Sequence, residues 1–220
     1  MDNPSNAMIE LREVTTSRGM FPVLSSFTLT VCQGQFLNLY GPTGCGKTTV
    51  LRVVSGLVAP ASGIVLVAGQ NLAGLSLKDL RRMRQHIGFF SRSILPPADE
   101  QLAAAVSLPA ILAGFSSSDA HSLALEALSL CEIEPLSGEQ IGGLSTGERQ
   151  LACLAMAVVH QPMLILADEP VAGLDAEKAS LVINVLSRFT QQGGTVLAVS
   201  HSPLPAHAAI SVNMEKLHHD

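Results

Sequence analysis

The chain has 220 residues, of which 47% are hydrophobic and 14% are charged, which is enough apolar material for one domain with a sizeable buried core. Its formal net charge of -5 gives no general field that attracts nucleic acid, so a nucleic-acid-binding role is disfavoured. Four scattered cysteines form neither a metal-binding pair nor a disulfide scaffold, which favours a reducing cytoplasm.

The N-terminus lacks a charged start followed by an apolar core and a cleavage site, so we expect no secretory signal. We expect Met8 to be the natural start and residues 1–7 to be an extension or tag remnant. The most apolar stretch, residues 102–115, is shorter than the roughly 20 residues that span a bilayer, and it contains Pro109. It is predicted to be either a buried helix or an exposed docking surface.

Strand and helix patterns alternate along the chain. Strands are predicted at residues 9–14, 27–31, 36–40, 63–67, 163–167 and 195–200. Helices are predicted at residues 50–57, 77–85, 102–115, 120–130 and 176–190, and residues 93–161 are interpreted as a mostly helical insert. This order favours an α/β fold with a parallel sheet flanked by helices.

A candidate phosphate-binding loop follows the third predicted strand. It matches G-x-x-x-x-G-K-[ST] and consists of Gly41, Pro42, Thr43, Gly44, Cys45, Gly46, Lys47, Thr48 and Thr49. Glycines let backbone N–H groups approach phosphate oxygens, Lys47 offers a positive charge, and the Thr48 hydroxyl can ligate Mg²⁺. The loop therefore predicts ATP and Mg²⁺ as cofactors, with a Gly-rich turn and a surface lysine as the alternative.

Three later segments decide between the classes of phosphate-loop protein. They read Leu144-Ser-Thr-Gly-Glu-Arg-Gln150, Met163-Leu-Ile-Leu-Ala-Asp-Glu-Pro170 continued by Val171-Ala-Gly-Leu-Asp175, and Val199-Ser-His201. In this order they resemble the signature, the catalytic strand with its D-loop, and the switch histidine of ABC transporter ATP-binding subunits. Within that family the chain looks most like the small bacterial ATPases of the lipoprotein-release, macrolide-efflux and cell-division group.

The resemblance implies a P-loop NTPase core of the ABC type, with a parallel central sheet, an N-terminal antiparallel β subdomain and a helical insert. One ABC domain is expected over residues 8–220. Residues 8–91 and 163–220 would form the nucleotide-binding core, and residues 92–162 the helical subdomain.

The resemblance also implies a role for each motif residue. Lys47, Glu169 and His201 are expected to be catalytic, with Glu169 as general base and His201 in contact with the γ-phosphate. Thr48 and Asp168 are expected to hold Mg²⁺. Nucleotide bound to the opposite subunit is expected to contact Ser145, Gly147 and Glu148. Asp175 of the D-loop is also expected to bind nucleotide. Taken singly, the acids also suit ordinary strand-end capping, and His201 suits a surface histidine.

Several positions depart from the family pattern. Arg92 stands where a glutamine usually contacts Mg²⁺, and arginine cannot ligate a cation. Three interpretations stay open for it: neutralising phosphate charge, facing a partner, or weakening hydrolysis. Arg18 falls near the expected adenine-stacking position, with Phe21 as the alternative, and Thr146 and Leu151 replace usual signature residues.

The leading hypothesis is therefore an ATP-hydrolysing subunit that dimerises on ATP and drives a separate integral membrane permease. The second ABC subunit is expected to be another copy of this chain, and the permease is expected to dock near residues 92–115, from Arg92 to Phe115. The protein would then be cytoplasmic and peripheral on the inner face of the cell membrane. The alternative is a nucleotide-responsive subunit with weak or no hydrolysis that signals to a membrane partner.

Overall fold

The computed structural model describes residues 6–19, 21–94, 96–205 and 207–218, without the side chains of Arg18, Lys216 and His218. The strands are β1 Ala7–Arg18, β2 Phe21–Cys32, β3 Phe36–Tyr40, β4 Ser62–Val67, β5 Gln70–Asn71, β6 Ile87–Ser91, β7 Leu164–Asp168, β8 Thr195–Ser200 and β9 Ile210–Asn213. The α-helices are α1 Lys47–Val54, α2 Leu77–Arg84, α3 Leu102–Ala113, α4 Ser117–Leu130, α5 Thr146–Val158 and α6 Ala176–Gln191. In these ranges no helix is both long and apolar enough to cross a membrane.

The strands form two sheets. A five-stranded parallel sheet has the order β6-β7-β8-β3-β9, and a four-stranded antiparallel sheet has the order β2-β1-β4-β5. Helices α3, α4 and α5 lie in sequence between β6 and β7. The predicted α/β class, with a parallel central sheet and an antiparallel N-terminal sheet, is confirmed.

The N-terminal hairpin is longer than the predicted strands at residues 9–14 and 27–31. Strands β1 and β2 each have twelve residues, and their pairing shifts register at several points, for example between Leu11 and Val14. Glu13 and Ser26 adopt positive φ angles of 51° and 45° in these irregular stretches. Because a β-bulge interrupts the alternation of apolar and polar residues, periodicity detects only the regular part of each strand.

The predicted helices have different ends in the structure: α4 begins at Ser117, three residues before its predicted start, and glycines account for the ends of α1 and α3. Helix α1 begins at Lys47, three residues before the predicted start, because Gly46 has a φ of 98° and marks the helix boundary. Helix α3 continues through Pro109 and ends at Ala113, where Gly114 provides a C-cap with a φ of 104°. Glycine adopts such left-handed conformations without the steric cost that other residues meet.

The two faces of the parallel sheet are buried in two separate hydrophobic cores. In β7, Ile165 and Ala167 face the core that contains α3, α4, α5 and α6, because alternate residues of a strand point to opposite faces. Leu164 and Leu166 face the second core, which contains α1 and the antiparallel sheet. The central strands are therefore apolar on both faces.

The strand order places three functional segments side by side. β3 lies next to β8, which lies next to β7, and all three are parallel. Their pairing aligns Tyr40 with Ser200 and Asp168 with Val199. The residues that follow these strands consequently meet at one edge of the sheet.

Candidate active site

The phosphate loop is the turn between β3 and α1. It begins at Gly41, whose N–H donates to the Ser200 carbonyl oxygen at 3.3 Å. Pro42, Thr43 and Gly44 are exposed, whereas Thr49 is half-buried in the first turn of α1. The loop lies at the carboxyl edge of the sheet, where open α/β sheets generally bind ligands.

Gly46 holds this loop tightly against β2. A Cβ atom at this position would lie 2.9 Å from Leu24 Cδ2 and 3.0 Å from the Val23 carbonyl oxygen. Neighbouring Cys45 is half-buried, and its Sγ lies 3.8 Å from Met214 Sδ, so the segment after β9 packs on the loop. The sequence did not indicate this contact, because nothing in the pattern joins residues 169 positions apart.

Lys47 is buried and bonded to its own loop. Its Nζ donates to the carbonyl oxygens of Gly41 and Pro42 at 2.7 and 2.9 Å. An ammonium group can donate three hydrogen bonds, so these two bonds leave capacity for a further acceptor. The lysine is thus held at the loop that would surround a phosphate group.

Thr48 and Asp168 bring two hard oxygen donors together. The Thr48 hydroxyl lies 3.3 and 3.4 Å from the two carboxylate oxygens of Asp168. The pair of Thr48 and Asp168 fits Mg²⁺, which binds through one or two protein oxygens and takes its other ligands from water and phosphate. Over the described ranges, no group of three or more His, Cys, Asp or Glu residues could hold a metal ion.

Glu169 and His201 form a pair beside this site. His201 Nε2 lies 3.2 Å from Glu169 Oε1, and the two side chains are 57% and 25% exposed. The Glu169 backbone has a φ of 52°, and its N–H donates to the Val199 carbonyl at 2.9 Å. The left-handed conformation, which is uncommon for a residue other than glycine, turns the chain away from the strand directly after Asp168.

The signature segment forms the start of α5. Ser145 is the exposed N-cap, its hydroxyl accepts from the Glu148 N–H at 3.3 Å, and the Ser145 N–H donates to Glu148 Oε2 at 2.7 Å. Hydrogen bonds from the side chain and then the backbone of Ser145 lower the pKa of Glu148. The exposed helix start offers backbone N–H groups to an anion.

The predicted D-loop residue Asp175 is the N-cap of α6. Its carboxylate accepts from the Lys178 N–H at 2.9 Å and lies 3.0 Å from Lys178 Nζ. These hydrogen bonds lower the pKa of Asp175 and raise that of Lys178. The same lysine packs on the signature, since a Cβ at Gly147 would lie 2.8 Å from Lys178 Cδ. The signature and the D-loop are therefore neighbours.

Arg92 is an exposed residue whose guanidinium group contacts neighbouring segments of the chain. Its guanidinium group donates to Gln150 Oε1 through Nε at 2.9 Å and Nη2 at 2.8 Å, and Nη2 also donates to the Ala172 carbonyl oxygen. Gln150 was not among the predicted site residues. Its place at the end of the signature segment could have indicated it.

The adenine contact falls partly outside the described residues, because the side chain of Arg18 is not described. The alternative, Phe21, is 78% exposed at the turn of the β1–β2 hairpin, where its backbone pairs with Arg18. An exposed aromatic ring at this place can stack on a base.

Comparison with known proteins identifies the family. A family model described as "ABC transporter" matches residues 24–172. The chain is 34% identical to the lipoprotein-releasing system ATP-binding protein LolD of Bacteroides fragilis, over 88% of this chain and 91% of that protein. It is 31% identical to the methionine import ATP-binding protein MetN of Latilactobacillus sakei, over 88% of this chain but only 58% of that protein. The chain thus spans little more than half the length of some curated relatives it matches.

Among solved structures, the dimeric bacterial ABC transporter cassette MJ0796 superposes with a TM-score of 0.85 at 28% identity, covering 94% of this chain and 95% of that one. The same cassette in a post-hydrolysis dimeric state bound to ADP and Pi has a TM-score of 0.83 at 27% identity, with the same coverage of both chains. The family model covers more than half of this sequence, and the relative in lipoprotein release agrees with the predicted resemblance. This chain belongs to the ABC transporter family, as an ATP-binding cassette.

Proposed function

We propose that this protein hydrolyses ATP with Mg²⁺ at sites shared between two copies of the chain, and that the cycle drives a separate membrane permease. The observation that carries the proposal is the meeting of three segments at the carboxyl edge of the parallel sheet. There Lys47 is bonded to the phosphate loop, Thr48 lies beside Asp168, and Glu169 is paired with His201. Phosphoryl transfer needs this combination of a cation, metal-binding oxygens and a base.

In the proposed reaction, a water oxygen bonds to the γ-phosphorus while the bond to the bridging β,γ-oxygen breaks. ADP and phosphate leave, and Glu169 accepts the proton of the attacking water. His201, 3.2 Å from the Glu169 carboxylate, holds that carboxylate and contacts the γ-phosphate. Thr48 and Asp168 would hold Mg²⁺, which neutralises phosphate charge when bound.

Dimerisation would complete the site. Ser145 and Gly147 lie at the exposed start of α5, where a second copy could bring the γ-phosphate of its own nucleotide. Glu148 and Asp175 form hydrogen bonds that cap the starts of α5 and α6, and these bonds fix the backbone of this surface. The homologous cassette MJ0796 is dimeric in its solved structures, which supports the same arrangement here.

The proposed permease site is a groove beside α3. It has a volume of about 370 Å³, and it includes Ile94 and Leu112, the latter 62% exposed. Two further groove residues, Arg84 and His160, each have a buried nitrogen, Nε and Nδ1, without a hydrogen-bond partner among the described residues. An apolar segment with polar groups at its edge would fit this groove. Such a partner would place the protein on the cytoplasmic face of the membrane.

The substitution Glu169→Gln tests the proposal. It removes the proton acceptor, so steady ATP hydrolysis should fall by at least about 100-fold while ATP binding remains and an ATP-bound dimer accumulates. Phosphate release and light scattering measure the two effects. The matched control is Glu177→Gln, at an exposed position of α6, which should leave both properties unchanged. Normal turnover in the Glu169 variant would remove Glu169 from its assigned role.

A second candidate function is a nucleotide-responsive subunit with little hydrolysis. Arg92 favours it, because a guanidinium group that is bonded to Gln150 and Ala172 cannot ligate the metal ion. ATP binding without phosphate release, even with the membrane partner present, would support this alternative. Mg²⁺-dependent release that disappears in Lys47→Ala would defeat it.

A further inference from the structure

One arginine side chain connects two segments that are far apart in sequence. Arg92, in the turn after β6, is hydrogen-bonded to Gln150 of α5 and to the carbonyl oxygen of Ala172 in the turn after β7. Gln150 lies five residues after the N-cap Ser145. Ala172 lies between Glu169 and Asp175. The side chain therefore touches both the signature helix and the segment that carries the proposed base.

Gln150 accepts these bonds in only one orientation. It is 2% exposed, and its Nε2 donates to the Pro170 carbonyl oxygen at 2.6 Å while its Oε1 accepts from Arg92. A guanidinium group can only donate hydrogen bonds, and a carbonyl oxygen can only accept them. If the Gln150 amide were flipped, its NH₂ group would face the Arg92 donors and its oxygen would face the Pro170 carbonyl oxygen, so neither bond could form. Arg92, Gln150 and Pro170 thus form one chain of matched hydrogen bonds.

The turn after β7 also packs directly on the guanidinium group. A Cβ at Gly173 would lie 2.8 Å from Arg92 Nη2, and Gly173 has a φ of 70° that already favours glycine. Residues 170–173 therefore meet Arg92 by packing as well as by hydrogen bonds.

We propose that Arg92 is a positioning residue: its guanidinium fork bridges the signature helix to residues 170–173, so that Ser145, Glu169 and Asp175 move as one unit. The fork, rather than the positive charge, carries this role, because Nε and Nη2 together bind Gln150 Oε1 while Nη2 also reaches the Ala172 carbonyl oxygen. Its consequence for hydrolysis rests on the proposed function, whereas the bridge itself rests only on the contacts within the chain.

Hydrogen exchange of the nucleotide-free protein tests the bridge. In Arg92→Ala, backbone amides of residues 145–150 and 170–175 should exchange at least about fivefold faster. Arg92→Lys should behave like Arg92→Ala, since an ammonium group lacks the fork. Arg12→Ala removes a surface arginine paired with Glu10 and serves as the control without effect. Unchanged exchange in Arg92→Ala, or full protection by lysine, would overturn the proposal.

A double variant separates the bridge from a general loss of stability. Because Gln150→Ala already removes the shared acceptor, adding Arg92→Ala should accelerate exchange at residues 145–150 little further. Additive effects would mean that the two residues act independently, which contradicts the bridge.

Nucleotide measurements separate positioning from a charge at the phosphate. Arg92→Ala should change the ATP affinity of the monomer by no more than about twofold, while kcat falls about tenfold or more. If ATP affinity falls tenfold in Arg92→Ala and is normal in Arg92→Lys, the positive charge of residue 92 acts on the phosphate, and the proposal is overturned. If the parent protein does not hydrolyse ATP, the proposed function fails, and the exchange comparison decides on the bridge alone.

Discussion

Gly46 lies where the phosphate loop meets both α1 and β2, so Gly46→Ala tests how the loop is held. The backbone there has a φ of 98°, which L-residues rarely adopt, and the cost of such a conformation is about 1–3 kcal/mol. The new methyl group would lie 2.9 Å from Leu24 Cδ2 and 3.0 Å from the Val23 carbonyl oxygen. Relieving that overlap costs a further 1–3 kcal/mol, roughly, because the neighbouring atoms must shift.

Gly34→Ala is the matched control, since it shares the backbone strain without the overlap. Gly34 has a φ of 77°, but a Cβ there would meet nothing within 4 Å. Its N–H donates to Thr195 Oγ1 at 3.1 Å, and alanine retains that bond. The free energy of unfolding should therefore fall by about 1–3 kcal/mol in the Gly34 variant, and by about 1–3 kcal/mol more than that in the Gly46 variant.

Urea unfolding measures the two free energies, and a fluorescent ATP analogue measures binding. Displacing the start of α1 should weaken binding of the analogue by about tenfold or more in Gly46→Ala, because a shift of about 1 Å disturbs aligned phosphate contacts. Gly34→Ala should bind normally. Equal stabilities of the two variants, or normal binding by Gly46→Ala, would refute the reasoning from the Leu24 and Val23 contacts.

The remaining predictions concern single side chains. Lys47→Ala should lower ATP turnover by at least about 100-fold while the fold survives in thermal melting, because the charge offered to phosphate is lost; a small decrease would contradict its role. Burial raises the pKa of the Cys131 thiol to about 12, so iodoacetamide at pH 8 should alkylate half-buried Cys45 far faster, and ATP should protect Cys45. Peptide mass spectrometry measures the alkylation rates of Cys131 and Cys45, and equal rates would contradict the burial of Cys131. Burial lowers the pKa of His160, so the unfolded state binds more protons, and stability should fall as pH decreases below about 6.5. His160→Leu should flatten this slope in urea unfolding; a slope equal to that of the parent protein would contradict the prediction.

The sequence was most informative for motifs whose residues are adjacent along the chain. The phosphate loop is contiguous, so its spacing and position after β3 were predictable, as was the α/β class. The assigned roles of Lys47, Glu169 and His201 remain predictions, although the structure brings their segments together. Local pattern also missed the true length of β1 and β2, because bulges break the alternation that marks a strand.

Contacts between distant residues were not predictable. Arg92 was recognised as a departure, yet its partner Gln150 lies 58 positions away, and no periodicity relates the two. The same holds for Met214 against Cys45, where the partner is a single apolar residue after an edge strand. Such pairs depend on how helices and strands pack, which one sequence does not specify locally.

The phosphate loop and the signature helix pack on different hydrophobic cores. The phosphate loop rests on the core that contains α1 and the antiparallel sheet, whereas the signature helix belongs to the core formed with α3, α4 and α6. If α3 meets the proposed permease, a change in α3 that suits a different permease would therefore act on the packing beneath Ser145 while leaving the packing beneath Lys47 intact. Under the proposed function, the surface that meets the permease could therefore change without disturbing the core beneath the phosphate loop.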